Sequence, residues 1–400
     1  MIILGALSMF GPLSMDMYLP GLPALTRSLG ASASTGQLTL TGAMLGIAAG
    51  QLFTGPLSDS LGRRRPLLVG LVGYVLASLA CAAAPSIWTL IALRLIQGML
   101  GGAGVVIARA IVRDLFRGSE AARVFAVLMA VTGFAPVFAP LVGGQVLTIT
   151  SWRGIFVLLA AIGVPLLLAT LLWVPETLPP EGRHGGGLDA TVKTFGRLVR
   201  DRSFMPAAAS TALAYAAMFA YIAGAAFVLE DVYGVSPQTF SLVFAANSAG
   251  LVGFSQLGGR LVGRYGADRL LRVSLCGDAL GAGAAFVVIL THAGLWPLLI
   301  SLFIMLAFSG IVYPMGTAVA LGAQEGRLGS ASALLGMGQF GTGAVLAPLV
   351  GLSGSHDALP MGILIGACGT AALAVNLRFG RRLSAPSLRW QRSRPTQRER

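Results

Sequence analysis

Across 400 residues, 55% are apolar and only 11% are charged, whereas a soluble domain carries about a quarter charged residues. So few charges cannot cover a water-facing surface, and a mean hydropathy of +0.80 excludes an ordinary soluble globule, so lipid must cover much of this chain. The net charge of +13 raises nucleic-acid binding as a reading, but its placement follows membrane topology and no nucleic-acid partner is inferred.

A span needs about 20 apolar residues to cross roughly 30 Å of hydrocarbon. Such runs fall at 2–25, 36–57, 66–84, 88–112, 121–148 and 153–175, then at 206–229, 238–259, 270–291, 295–322, 329–352 and 358–379. The first lacks a basic n-region and any A-x-A-like site before Arg27, and reads as an uncleaved helix. The expected fold is an all-α integral membrane protein of twelve transmembrane helices in two six-helix bundles. The bundles occupy 1–175 and 206–380, with a cytoplasmic linker over 176–205 and a basic, disordered tail over 381–400. Cys81, Cys276 and Cys368 each sit inside an apolar run, which offers no disulfide framework and no metal-ligand spacing. No cofactor is expected.

Basic residues fix the orientation. With the N-terminus in the cytoplasm, the inner side takes twenty-four of the 28 Lys and Arg: Arg63–Arg65, Arg113, Arg117 and Arg123, the linker group, Arg260 to Arg272, Arg327 and the tail. The outer side takes Arg27 and Arg153, leaving Arg94 and Arg109 within spans. This asymmetry supports an even number of spans with both termini cytoplasmic. The halves also repeat. Ala139-Pro-Leu-Val-Gly143 recurs as Ala347-Pro-Leu-Val-Gly351, and Gly55-x-Leu57 with Gly62 and Arg65 recurs as Gly259-x-Leu261 with Gly266 and Arg269. Near-equal offsets at matching places make this a parallel repeat, an arrangement that transporters rock around a midplane site.

The most specific segment runs from Gly55 through Asp59 and Gly62 to Arg63, Arg64 and Arg65. Gly62 permits a tight turn between antiparallel spans, and Asp59 sits at a helix end where a cation can hold it. Such a cluster can latch two bodies in one state and release them in another. A stop-transfer loop explains the arginines but not Asp59 and the glycines. Arg109, Arg113 and Asp114 lie at the inner end of the fourth span, where an arginine can pair with Asp59 or merely set topology.

The Gly55–Arg65 segment resembles the loop motif of the major facilitator superfamily. Leu93-Arg94-x-x-Gln97-Gly98 is similar to its fourth-span motif, and Gly133, Pro136, Pro140, Gly143 and Gly144 to the fifth-span motif of its antiporters, with Ala139 in place of the usual Gly. Asp16-Met-Tyr18-Leu-Pro20-Gly-Leu-Pro23 and Arg109-x-x-x-Arg113-Asp114 most resemble the twelve-span drug:proton antiporters of the bicyclomycin/chloramphenicol-resistance (Bcr/CflA) branch. The resemblance implies the major facilitator fold, with halves related by a pseudo-two-fold axis, and proton-coupled export of small amphipathic compounds, including antibiotics, by a monomer in the bacterial inner membrane.

An acid inside an apolar span is a functional hypothesis by default. Asp16 is the expected proton carrier and Arg94 its expected partner, since helix rise puts both about 10 Å from the outer face. The competing reading is that Asp16 ends a helix before Pro20 and Pro23. Asp278 in the ninth span is as readily structural. Pro136 and Pro140 with Gly143 and Gly144 can bend the fifth span against Ser248, Gly250 and Gly253 of the eighth, or form a passive kink. Tyr18, Gln97, Tyr215, Phe219, Tyr221, Asn247, Tyr313 and Gln339 are candidates for the substrate path, against packing or interface roles. The main alternative cargo is one metabolite such as a sugar, nucleoside or siderophore. An intramembrane enzyme is disfavoured, since no H-E-x-x-H, intramembrane aspartate pair or Ser-Lys set occurs and His184, His292 and His356 lie in loops, and a primary ATP-driven pump is disfavoured because no G-x-x-x-x-G-K-[ST] motif is present.

Overall fold

The computed structural model describes residues 2–116, 118–179, 195–322, 324, 328–354 and 356–379. Residues 180–194 of the expected linker and the expected tail lie outside them, as do Arg117 and Arg327. Hydrocarbon offers backbone N–H and C=O groups no partner, so each crossing segment must satisfy its own. Twelve helices long and apolar enough to do so are present among the described residues. They are Ile2–Ser28, Ala33–Leu61, Arg64–Ala82, Ile87–Leu115, Val131–Ile149, Trp152–Trp173, Met205–Val232, Pro237–Tyr265, Ala267–Leu290, Leu295–Gly322, Leu334–Gly351 and Leu359–Phe379, here called the first to twelfth spans.

The repeat is visible in how helices start and stop. Ser32 caps the second span by accepting from Thr35 N, and Ser236 caps the eighth by accepting from Thr239 N, each at 3.2 Å. Gly62 and Gly266 end the same two helices at φ +90° and +76°, a conformation that disfavours residues with a Cβ. Two local departures matter. The first span is not one helix: α-helix ends at Asp16, a 3-10 turn covers Leu19–Gly21, and helix resumes over Leu22–Ser28, because Pro20 and Pro23 remove backbone donors and restrict their predecessors. The repeated Ala-Pro-Leu-Val-Gly stays within the long helix Gly118–Ile149 in the fifth span but forms a 3-10 turn over Ala347–Gly351 in the eleventh.

Among the described residues, three buried apolar clusters hold the molecule. One joins both halves at the end that carries Arg27, where Met17, Leu22 and Leu40 pack in the same cluster as Phe227, Phe240 and Val350. The other two stay within single halves toward the Arg63 end, one around Leu7, Leu71 and Ile111 and one around Phe204, Leu271 and Val312. Cross-half hydrogen bonds follow the first cluster: Gln37 Nε2 donates to Ala223 O (3.1 Å), Ser34 Oγ to Pro348 O (2.9 Å) and Thr41 Oγ1 to Ala344 O (3.1 Å). At the opposite end, a Cβ added at Gly55, Gly259 or Gly263 would meet nothing within 4 Å. Among the described residues, the halves are closed together at the Arg27 end and keep separate cores toward the Arg63 end.

Within the first half, the second and fourth spans cross at backbone distance. A Cβ at Gly46 would meet the backbone of Leu95 and stand 2.8 Å from Met99 N, and Gly42, Gly50, Gly98 and Gly102 meet the facing backbone likewise. Small residues serve this close approach in lipid. Gly46→Leu is expected to destabilise the protein by about 1–3 kcal/mol through overpacking against backbone that cannot give. Gly283→Ala, in open space, is expected to be neutral or slightly stabilising. Thermal unfolding of the purified variants in detergent checks both.

Candidate functional site

The break in the first span leaves Asp16 at a helix end inside the membrane and turns Tyr18 across the bundle. Asp16 is 6% exposed. The ion pairs among the described residues are Arg27–Asp231, Arg63–Asp59 and Arg63–Asp114, so Asp16 has no cation partner here. Arg94 is fully buried, and its guanidinium lies 4.3 Å from the centre of the Tyr18 ring and 5.6 Å from that of Phe156. Its Nη1 donates to Gln97 Oε1 at 2.6 Å, Gln97 Nε2 donates to Ser78 Oγ at 2.7 Å, and Tyr18 Oη lies 3.1 Å from Thr39 Oγ1. Arg94 Nε and Nη2 have no hydrogen-bond partner. The expected direct Asp16–Arg94 contact is therefore absent in this conformation, because an aromatic face and Gln97 hold the guanidinium. Tyr18 and Tyr221 both lie within electrostatic reach of Asp16.

The second half supplies an aromatic wall. Tyr215 stacks on Tyr313 with centroids 3.8 Å apart and neighbours Phe219 at 6.2 Å, and Phe219 lies 5.8 Å from Phe340. Phe219 and Met44, from opposite halves, flank Gly343. Asn247 Nδ2 donates to Tyr221 Oη at 2.9 Å, and Tyr221 stacks on Phe244. The expected path residues thus gather into two sets: Tyr18 and Gln97 around Arg94, and Tyr215, Phe219 and Tyr313 opposite, with Tyr221 and Asn247 toward the closed end. Gln339 is half-buried on the eleventh span. Asp278 stands apart, fully buried in the ninth span against Ser309 of the tenth.

The Arg63 network lies within one half. Arg63 Nη1 donates to Asp59 Oδ1 at 2.5 Å and to Ser58 Oγ at 2.9 Å, while Nε donates to Asp114 Oδ2 at 2.9 Å. Thr177 Oγ1 donates to the same Asp114 oxygen. Glu176 Oε1 and Oε2 accept from the backbone N–H of Arg63 and Arg64 at 2.8 and 3.2 Å, placing a carboxylate on the positive N-terminus of the third span. Arg64 Nη2 donates to Leu171 O. An arginine of the fourth span does not pair with Asp59: Arg109 and Arg113 are exposed, and Asp114 is the residue that joins. Across the molecule, Gln324 Nε2 donates to Asp201 Oδ2 at 3.0 Å, and Ser203 N and Oγ donate to Asp201 Oδ1. The Ser203 and Gln324 hydrogen bonds lower the Asp201 carboxyl to about 2.

In the fifth span, Gly143 packs on the backbone of Met17, and Gly144 on Ser241 Oγ of the eighth span, whose Gln238 donates to Gly144 O at 3.3 Å. Gly144 thus meets the eighth span nearer the closed end than expected, while Gly143 meets the first span. Gly250 instead faces Phe303 of the tenth span, and Gly253 has no neighbour within 4 Å of a Cβ. Gly133 approaches Val252. Pro136 and Pro140 lie inside an unbroken helical stretch.

Several contributors escaped sequence reasoning. Glu176 and Thr177 read as linker. Asp231, which receives Arg27 Nη1 at 2.7 Å across the halves, had a detectable signal: it is an acid at a span end on the side where Arg27 is one of two arginines. It follows Glu230 in a π-helical turn, Val228–Val232, an irregularity that favours functional sites.

Two six-helix bundles with polar groups at membrane depth between them define a membrane transporter rather than an enzyme. The chain belongs to the major facilitator superfamily, whose family model matches residues 4–348 and 207–396, and to its Bcr/CflA branch. It is 41% identical over 365 residues to an uncharacterised MFS-type transporter, YdgK, of Bacillus subtilis (strain 168), covering 91% of this chain and 90% of the relative. It is 31% identical to a bicyclomycin resistance protein homolog of Haemophilus influenzae, covering 91% and 92%. Among solved structures, a peptide transporter POT in complex with sulfate superposes with a TM-score of 0.75 at 16% identity, covering 95% of this chain and 93% of that one. At that identity the likeness is one of fold.

Arg63 bridges two acids through a planar fork that a single ammonium cannot reproduce. Arg63→Lys is expected to destabilise the first half by about 1.5–3 kcal/mol, the range of hydrogen bonds to charged groups, and nearly as much as Arg63→Ala. Thermal unfolding read for both variants checks this. For Asp201 the folded-state value lies below the ordinary 3.8, so its stabilising contribution is complete above about 4 and is lost as pH falls through about 2. Amide-exchange protection at 201–205 is expected to hold from neutrality to about pH 4 and to fall below it.

Proposed function

We propose that this protein is a proton-coupled antiporter that exports small amphipathic organic compounds by alternating access. The observation that carries the reading is a buried carboxyl, Asp16, and a buried guanidinium, Arg94, both near Tyr18 and, among the described residues, with no ion pair at either. Several kcal/mol is the usual cost of burying an ion without a counter-charge. A cation–π contact of about 2 kcal/mol offsets only part of that. The site therefore favours whichever event brings a countercharge, and exchange of a proton at Asp16 against cargo is such an event. The aromatic wall suits flat, weakly polar molecules and tolerates variety. Relatives named for bicyclomycin, chloramphenicol and multidrug resistance support that cargo class.

The Arg63 end carries most of the basic residues, so it is assigned to the cytoplasm with both termini. The described conformation is then inward-open. Cargo enters from the cytoplasm beneath the joint core as Asp16 releases its proton. The halves then rock, and protonation from outside expels the cargo. Substrate-driven proton release in everted vesicles, with ethidium and chloramphenicol as probes, tests the reading. Wild type is expected to respond and Asp16→Asn to lose at least about tenfold of the rate, equivalent to about 1.4 kcal/mol of coupling. An equal response in both would overturn the role given to Asp16.

A further inference from the structure

The ninth span holds an acid for which the scheme above has no use. Asp278 is 0% exposed. Ser309 Oγ donates to its Oδ1 at 2.5 Å, and Oδ2 has no partner. Oδ2 faces the twelfth span at Gly369, where a Cβ would stand 3.6 Å away, so that side of the buried oxygen meets no polar side chain.

Among the described residues, positive charge is remote from it. The tenth span presents Tyr313 and has no Lys, Arg or His. The twelfth presents Cys368, and its Arg378 lies nine residues beyond Gly369, about 13 Å along the axis. The seventh presents Tyr215 behind Tyr313. The eighth span's Arg260 and Arg264 are exposed. On its own helix, Arg272 is six residues away, about 9 Å. A carboxylate with one hydrogen bond and no cation is costly in such a place, so a group like this holds a proton or exchanges one.

A chain of neighbouring side chains toward the expected cargo path is also present. Ser309 and Tyr313 are one helical turn apart on one face. Tyr313 Oη is buried without a partner, and its ring stacks on the half-buried Tyr215 of the expected cargo path. A cargo that moves Tyr215 therefore disturbs Tyr313 and, through Ser309, the acid.

We propose that Asp278 is a second proton-exchanging carboxyl, held in the second half behind the Tyr215–Tyr313 pair. Its role in transport rests on the antiport reading above, but its exchange with water does not. Each half then contributes one proton-exchanging acid.

Infrared titration of the protein reconstituted in lipid tests this without a known cargo. Wild type is expected to show protonated-carboxyl bands near neutral pH that disappear as pH rises, one of them missing in Asp16→Asn and a second in Asp278→Asn. Ser309→Ala, which removes a donor to the carboxylate, is expected to move the second band's midpoint upward by at least one pH unit. It also carries the assignment if Asp278→Asn fails to fold. A band lost in Asp278→Asn but constant at every pH would overturn the proposal in favour of a structural acid, as would an unchanged spectrum. A titrating Asp278 beside a silent Asp16 would instead sink the antiport reading and leave this one standing.

Discussion

One buried cluster shared by both halves, against two that are private, is the constraint on which the other features depend. At the Arg27 end, side chains of both bundles have a common interior and backbone carbonyls of one half accept from side chains of the other. At the Arg63 end each half closes on itself. Two rigid bodies with separate cores can part at that end without either losing its packing. The Arg63 network serves this independence. Its acids, its arginine and the capping Glu176 all belong to the first half, so opening leaves them satisfied.

Between those ends the interior is unlike a soluble core. Arg94 and Asp278 are fully buried and only partly satisfied, and Asp16 is nearly so. Native interiors rarely leave such groups unpaired. In the first half the polar chain runs from Arg94 through Gln97 to Ser78, and the hydroxyls of Ser14 and Tyr74 pair beside it. In the second half the polar groups sit behind stacked rings. A guanidinium on one wall and aromatic faces on the other make the space between them asymmetric in charge as well as shape.

Much of this was legible in the sequence because lipid imposes blunt rules. Apolar length gave the twelve spans, and the offset between Gly62 and Gly266 marked equivalent turns that the structure makes with similar backbone angles. The Gly55–Arg65 segment located the charged network, and Asp16 and Arg94 were marked as costly. Pairing was less legible. Nothing in the spacing tells whether Arg94 faces a carboxylate or a ring, or that Asp114 rather than Arg113 turns toward Arg63, because adjacent helical residues differ by about 100° in direction. Glu176 was hidden for another reason: its partner is a backbone N-terminus, which has no letter in the sequence.

The five residues Ala-Pro-Leu-Val-Gly, α-helical in one half and 3-10 in the other, have a geometric consequence. A 3-10 turn rises about 2.0 Å per residue against 1.5 Å for α-helix, so the same letters span about 2.5 Å more in the eleventh span than in the fifth. The repeat thus works as a vernier: two rods cut from one pattern differ in length by about half a helical pitch, and passing between the two windings would lengthen one half relative to the other as each N–H shifts from the i−4 to the i−3 carbonyl.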